Sequence, residues 1–241
     1  MSCLVTTSWD DGIKGDLNTV KLLERYGLKG TFYITVGNLG KDRFLNKKDA
    51  HDIFGQGHEI GAHTVTHPEL PSIPIENAKL EIERSKNMLE KIIDAEVVSF
   101  SYPKGLYNET IKRLVAQAGF KIARTTKSFC VDRPEDPFEI GASISIEARR
   151  PMLGTGFMRK FFFRYNPVKV VLGAKNWEKR AQIMFDIAYE AQGVWHLFGH
   201  AYQIKNERIK VGLKKILEYV ANRSNVVYDS NRQISRFLAS K

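Results

Sequence analysis

The strongest constraint on this chain is an alternation that recurs seven or so times: a short run rich in β-branched and aromatic residues, then a longer stretch with apolar residues at helical spacing. The short runs are Leu4 to Ser8, Gly30 to Val36, Gly57 to Gly61, Glu96 to Tyr102, Phe120 to Arg124, Phe138 to Ile146, Val194 to Phe198 and Val226 to Tyr228. Helices are expected over Lys14 to Tyr26, Asn46 to Phe54, Ile75 to Ile93, Asn108 to Ala118, Trp177 to Gln192 and Glu207 to Ala221, with a terminal helix capped by Ser230. Parallel neighbours need a long crossover, and a helix supplies one. The pattern therefore predicts an α/β fold of mostly parallel strands with helices outside. No repeat, low-complexity tract or linker interrupts it, so residues 1–241 are expected to form a single domain, a length ordinary for one α/β barrel.

Four polar clusters fall where a predicted strand ends: Ser8-Trp9-Asp10-Asp11-Gly12, His63-Thr64-Val65-Thr66-His67, Tyr102-Pro103-Lys104-Gly105 and Gly199-His200. In parallel barrels that rim is where chemistry is built. Neighbours in extended chain point in different directions, so Asp10 and Asp11 can do separate jobs, one on a metal and one facing a substrate. Taken alone, the pair equally suits the start of the helix near Lys14. His63 and His67 stand four residues apart with Pro68 directly after, which suits one helical turn or a tight loop returning to the same point. Neutral imidazoles at such spacing are common zinc ligands. Two nitrogens with one or two carboxylates make a three-ligand metal site with an open position and a spare carboxylate for proton transfer. His200, beyond Gly199, suits a general acid. His196 lies mid-strand and is expected to pack.

The charge is uneven. The chain carries a net +10, and between Arg149 and Arg180 nine lysines and arginines face one acid, Glu178, among Phe157, Phe161, Phe162, Phe163, Tyr165 and Trp177. This basic-aromatic segment suits a peripheral contact with an anionic membrane or a negatively charged substrate, and equally a surface helix with its cations in water. Nucleic acid is not expected as a partner. Two cysteines, Cys3 and Cys130, exclude a disulfide framework. No signal-peptide pattern precedes the first motif and no apolar run is long enough to span a bilayer, so a cytoplasmic protein is expected.

With the motifs in place, the chain resembles the polysaccharide deacetylases, carbohydrate esterase family 4, or NodB-homology domain. Ser8 to Gly12 is similar to the family's first motif and His63 to His67 to its His-Ser/Thr-x-x-His zinc pair. Phe100 to Gly105 resembles its Arg-x-Pro-Tyr-Gly-like turn, and Val194 to His200 its last strand with the catalytic histidine. The resemblance implies a distorted (β/α)7-type barrel and a metal-dependent hydrolase that removes an N-acyl group, mostly N-acetyl, from an amino sugar; within that reading the basic-aromatic segment suggests a nucleotide- or lipid-linked precursor. The resemblance also implies Asp10 as general base, Asp11, His63 and His67 as metal ligands, and His200 as general acid. Tyr102, Pro103, Lys104 and Trp9 fall among the substrate and oxyanion contacts, with the Lys104 backbone N–H as oxyanion donor. Zinc is the expected metal, with cobalt, nickel or manganese as alternatives. Two departures stand out. Ser101 occupies the place where the family carries an Arg that orients the base, and the fourth motif has no clear match, Asp132 being the candidate for its acid. Other readings are an amidohydrolase acting on a ureide-like amide and a carbohydrate-binding member without turnover.

Overall fold

The computed structural model describes residues 2–146 and 176–238. Eight strands occur among them: β1 (Cys3–Asp11), β2 (Gly30–Ile34), β3 (Glu59–Ala62), β4 (Ser99–Ser101), β5 (Ile122–Arg124), β6 (Ile144–Ser145), β7 (Val194–Gly199) and β8 (Val226–Tyr228). The helices are α1 (Asp16–Arg25), α2 (Lys47–Gly55), α3 (Ile75–Ile93), α4 (Glu109–Gln117), α5 (Trp177–Glu190) and α6 (Glu207–Val220). The sheet runs β5-β4-β3-β2-β1-β7-β6, and β8 pairs the start of β1. Every pairing between these strands is parallel. The segment between β5 and β6 closes the ring. Ile140 bonds to Ala123 and Thr125 on the β5 side, then Ser143 and Ile146 donate to His196 and Phe198 of β7. The fold is thus the distorted (β/α)7-type barrel that the sequence suggested.

Strand parity sorts the side chains. From β1, Cys3, Val5 and Trp9 join the large apolar cluster under the helices, together with Phe32, Ile34, Phe100, Trp195 and Leu197 from other strands. The alternate residues face a barrel interior that is apolar only at its floor, where Leu4, Ile122, Ile140, Val194, Ile234 and Phe237 meet. Above that floor the interior is polar. The Thr6 hydroxyl donates to Asn231 Oδ1 at 2.8 Å, Asn231 Nδ2 donates to the Tyr33 hydroxyl at 3.1 Å, and Ser8 bonds His196 Nε2 at 2.8 Å. A buried polar group is tolerated only when it is partnered, and these residues partner one another. His196 does pack, but into this polar column. Its Nδ1 faces the Gly141 carbonyl at 3.0 Å.

The helix starts obey local chemistry. Asn46, Asn108, Asn176 and Asn206 each accept backbone N–H groups that the first turn leaves open. The expected terminal helix is instead a 3-10 turn, Asn231–Arg236, without a side-chain cap from Ser230. It is anchored from within: Asn231 N–H donates to Thr31 Oγ1 and Arg232 N–H to Glu59, each at 2.8 Å. Cys3 and Cys130 are both free thiols. Among the described residues no helix is long and apolar enough to cross a membrane. The basic-aromatic segment lies outside the described residues up to position 175.

Candidate functional site

The inward row of β1 ends at Asp10, and the chain then breaks from the strand: Asp11 has φ 79° and Gly12 φ 69°. The break separates the two carboxylates. Asp10 is 4% exposed. Its Oδ2 is paired with a guanidinium nitrogen of Arg124 and lies 3.8 Å from His63 Nε2. Its Oδ1 is buried without a hydrogen-bond partner. The Asp11 side chain is 30% exposed and faces imidazoles on both oxygens: Oδ1 lies 4.0 Å from His63 and 3.9 Å from His67, Oδ2 4.0 Å from His200.

The two histidines meet through a tight loop rather than a helical turn. Left-handed backbone at Thr64 (φ 63°) and His67 (φ 64°) folds the segment back, and the Nε2 atoms come to 3.1 Å. Thr64 Oγ1 accepts the His67 N–H at 2.9 Å. Glu81 of α3 grips the intervening residues with one carboxylate, accepting Val65 N–H, Thr66 N–H and the Thr66 hydroxyl, each at 2.8 Å. From the other side, Gly37 N–H donates to the Val65 carbonyl at 2.9 Å. A Cβ on Gly37 would lie 2.5 Å from that carbonyl oxygen, so only glycine permits the approach.

The protonation state of His63 follows from its contacts. Nδ1 faces the Ser101 carbonyl at 2.8 Å, and a carbonyl only accepts, so Nδ1 carries the hydrogen and Nε2 presents a lone pair. Burial, with His67 and Arg124 acting in the same direction, outweighs Asp10 and pushes the imidazole down to about 4, which keeps it neutral at pH 7. Burial alone would raise the Asp10 carboxyl, but Arg124, His63 and His200 outweigh it and hold it below the usual carboxylate range. Asp10 is an ionised acceptor with a free lobe.

Asp11, His63 and His67 offer three ligand atoms within 4.8 Å of one another. The donor set is two imidazole nitrogens and a carboxylate oxygen, the set zinc favours. Ligand atoms around a tetrahedral zinc sit about 3.3 Å apart, close to the separation of the histidine pair. The residues fit a divalent metal.

The gap left by Ser101 is filled from the next strand. Arg124, at the end of β5, is 1% exposed on its side chain. It pairs with Asp10, donates to Ser101 Oγ at 2.6 Å, and lies 4.2 Å from the centre of the Phe198 ring. The guanidinium that supports Asp10 comes from β5 instead of β4. The signal in the sequence was an arginine ending a run of otherwise apolar strand residues. Asp132 does not reach the site. It lines a hollow with Val194, at the opposite end of β7 from His200.

The proposed substrate contacts divide. Trp9 is fully buried on the outer face of β1, with its indole N–H on Thr7 Oγ1. The parity that turns Asp10 inward turns Trp9 toward the helices, so the structure does not bring it to the site. Tyr102 is buried too, stacked on Tyr107 and donating to the Phe138 carbonyl at 3.2 Å. Pro103 is buried, and Lys104 stands at the rim with φ 56° and its ammonium on Glu69. His200 borders Asp11, with Phe198 and Tyr202 rings 5.5 and 5.1 Å away.

Comparison with known proteins converges on one family. The family model described as polysaccharide deacetylase matches residues 3–123. "Putative polysaccharide deacetylase YxkH" of Bacillus subtilis is 24% identical over 139 residues, covering 57% of this chain and 50% of that protein. The peptidoglycan-N-acetylglucosamine deacetylase of Bacillus cereus is 25% identical over 120 residues, covering 49% of this chain and 54% of that protein. The chain spans about half the length of these curated relatives. A crystal structure from Mycobacterium smegmatis that bears the same description as YxkH has the same fold, with a TM-score of 0.71 at 16% identity over 98% of this chain and 89% of that one. A family model spanning half of the sequence and a barrel whose rim gathers the motif residues lead to one assignment: this chain belongs to the polysaccharide deacetylase family.

Proposed function

We propose that the protein is a metal-dependent hydrolase that removes an N-acyl group, most often acetyl, from an amino sugar within a glycan or glycan precursor. The observation that carries this reading is the division of labour at the rim. A buried, ionised Asp10 with an unpartnered oxygen stands beside three ligand atoms belonging to Asp11, His63 and His67. The similarity to the peptidoglycan-N-acetylglucosamine deacetylase of Bacillus cereus supports an N-acetylated glucosamine polymer as the substrate class.

In this reading Asp11, His63 and His67 hold a divalent ion, with zinc the first choice and cobalt, nickel or manganese as alternatives. When bound, such an ion polarises an acyl carbonyl and acidifies water. The remaining work falls to the chain. Asp10 Oδ1 takes the proton of the attacking water, and Arg124 keeps that carboxylate ionised and oriented. The Lys104 backbone N–H supports the developing oxyanion. His200, on the far side of Asp11, protonates the departing amine.

The test is acetate release from N-acetylglucosamine oligomers by protein loaded with zinc or cobalt, compared with chelated protein. Asp10→Asn is expected to retain metal and lose turnover. Equal acetate release after chelation, or an Asp10→Asn variant that loses its metal and stays active, overturns the reading.

A further inference from the structure

Beside the site, the helical layer has an opening. Between α1 and α6 lies a groove of about 480 Å³ whose upper end is formed by Gly15 and Ala201. Ala201 directly follows His200, and a Cβ on Gly15 would lie 3.1 Å from the Ala201 Cβ, so these two residues close the end of the groove that lies next to the rim carrying the site. From there it runs down the outside of the barrel. Its lining is partly apolar, with Leu22 and Ile204, and strongly cationic. Lys21 and Arg25 stand one turn apart on α1, Lys210 and Lys214 one turn apart on α6, and Lys205 lies near the top. The single acid lining the groove, Glu207, is bonded by Lys210 at 2.9 Å. Lys21, Arg25, Lys205 and Lys214 form no ion pair among the described residues.

Cations four residues apart on a helix repeat at about 6 Å along its axis. Two such rows facing each other across a trough match a linear chain with anionic groups at intervals. A flat bilayer surface fits less well, because it cannot enter a trough to meet both rows together. Low-dielectric walls on both sides also focus the field of the four unpaired charges. We propose that the groove holds the anionic stretch of a linear glycan whose amino sugar occupies the site. This inference rests on the deacetylase reading for the neighbouring end of the chain, while the groove can be tested without turnover.

The experiment measures binding of fluorescent oligogalacturonate to the full chain at low salt, with competition by a polyphosphate of similar length. Lys21→Glu/Arg25→Glu is expected to weaken binding by roughly tenfold or more. Arg84→Glu/Lys91→Glu, exposed cations on α3, is the control for the general positive charge and is expected to change binding by no more than about twofold. Competition by polyphosphate identifies phosphate as an acceptable anion, whereas binding of oligogalacturonate without it restricts the groove to carboxylates; either supports the proposal. Equal losses in the two variants, no binding of either polyanion, or groove-dependent binding only to phosphatidylglycerol vesicles overturns it. Acetate release from a short neutral oligomer is expected to be the same in the groove variant and the parent. If neither protein releases acetate, the deacetylase reading fails while the binding result stands.

Discussion

Asp10 lies 4% exposed beneath a guanidinium, whereas the neighbouring Asp11 side chain is 30% exposed and borders three imidazoles. One peptide bond separates a sealed half of the site from an open half. The sealed half is built on strand registers: Asp10 from β1, Arg124 from β5 and Ser101 from β4 all point inward by parity. The open half is built on loops whose backbone leaves the strand, at Asp11, Thr64 and His67. A group that must keep one ionisation state gains from burial beside a fixed counter-charge. A group that must meet a metal and a substrate needs access and some freedom. The two halves should therefore fail in different ways when altered.

The largest separation is expected between Arg124→Met and Asp11→Ala. Removing Arg124 leaves Asp10 buried without its counter-charge and should lower stability by about 3–5 kcal/mol, with metal affinity changed far less. Asp11→Ala should do the reverse, abolishing metal binding with less than about 1 kcal/mol lost. Urea unfolding and zinc calorimetry on both variants check this, and similar profiles for the two would erase the distinction.

The next effect concerns the loop that the open half depends on. Glu81 touches neither histidine and holds the three-residue bridge between them. Glu81→Ala should weaken metal binding by about 10–100-fold, with Glu81→Gln intermediate because it keeps one strong acceptor. Calorimetry decides, and an unchanged affinity would mean the loop holds its shape without the clamp.

Acid should act on two buried histidines, His196 in the barrel interior and His58 against Phe32 on the outer face of the sheet. Burial pushes His58 down to about 4 and His196 down to about 3. In the unfolded chain each takes up a proton near its ordinary value of about 6.5. Between those limits the unfolded state binds more protons, so stability is complete above pH 6.5 and falls as the pH drops, by at most about 1.4 kcal/mol per pH unit for each histidine. Urea midpoints from pH 4.5 to 7.5 should show this slope, and His196→Asn should roughly halve it, leaving the contribution of His58.

The smallest effect belongs to the rim. Lys104 is proposed to act through its backbone, and its ammonium meets Glu69 in solvent. Lys104→Ala should change stability by less than about 1 kcal/mol and leave kcat within about twofold, measured by acetate release. A large loss in kcat would assign the role to the side chain.

Much of this architecture was legible in the sequence. Dense runs such as Thr31 to Val36 mark buried strands because few other structures accommodate them, and Asn46 and Asn108 announce the helices they cap. Asp10, Asp11, His63, His67 and His200 were legible as a group because each sits where a strand stops. Two things were hidden for different reasons. Arg124 was hidden because motifs are read along the chain, whereas Asp10 takes its counter-charge from whichever inward position is nearest in space. Trp9 and Tyr102, which the resemblance puts among the substrate contacts, are turned by parity into the cluster under the helices. In a strand, the neighbour of an inward residue points outward.

The 3-10 turn at Asn231–Arg236 has a consequence for how the molecule comes into being. Asn231 bonds a threonine of the first strand across 225 positions of sequence, and β8, just before it, pairs with Cys3 to Val5. Until that turn docks, the Thr6 hydroxyl has only water as its partner, and docking closes a loop of more than two hundred residues. Loop closure over such a span is slow and exposes an unfinished sheet. The turn therefore acts as the keystone of an arch, holding strands that are far from it in sequence.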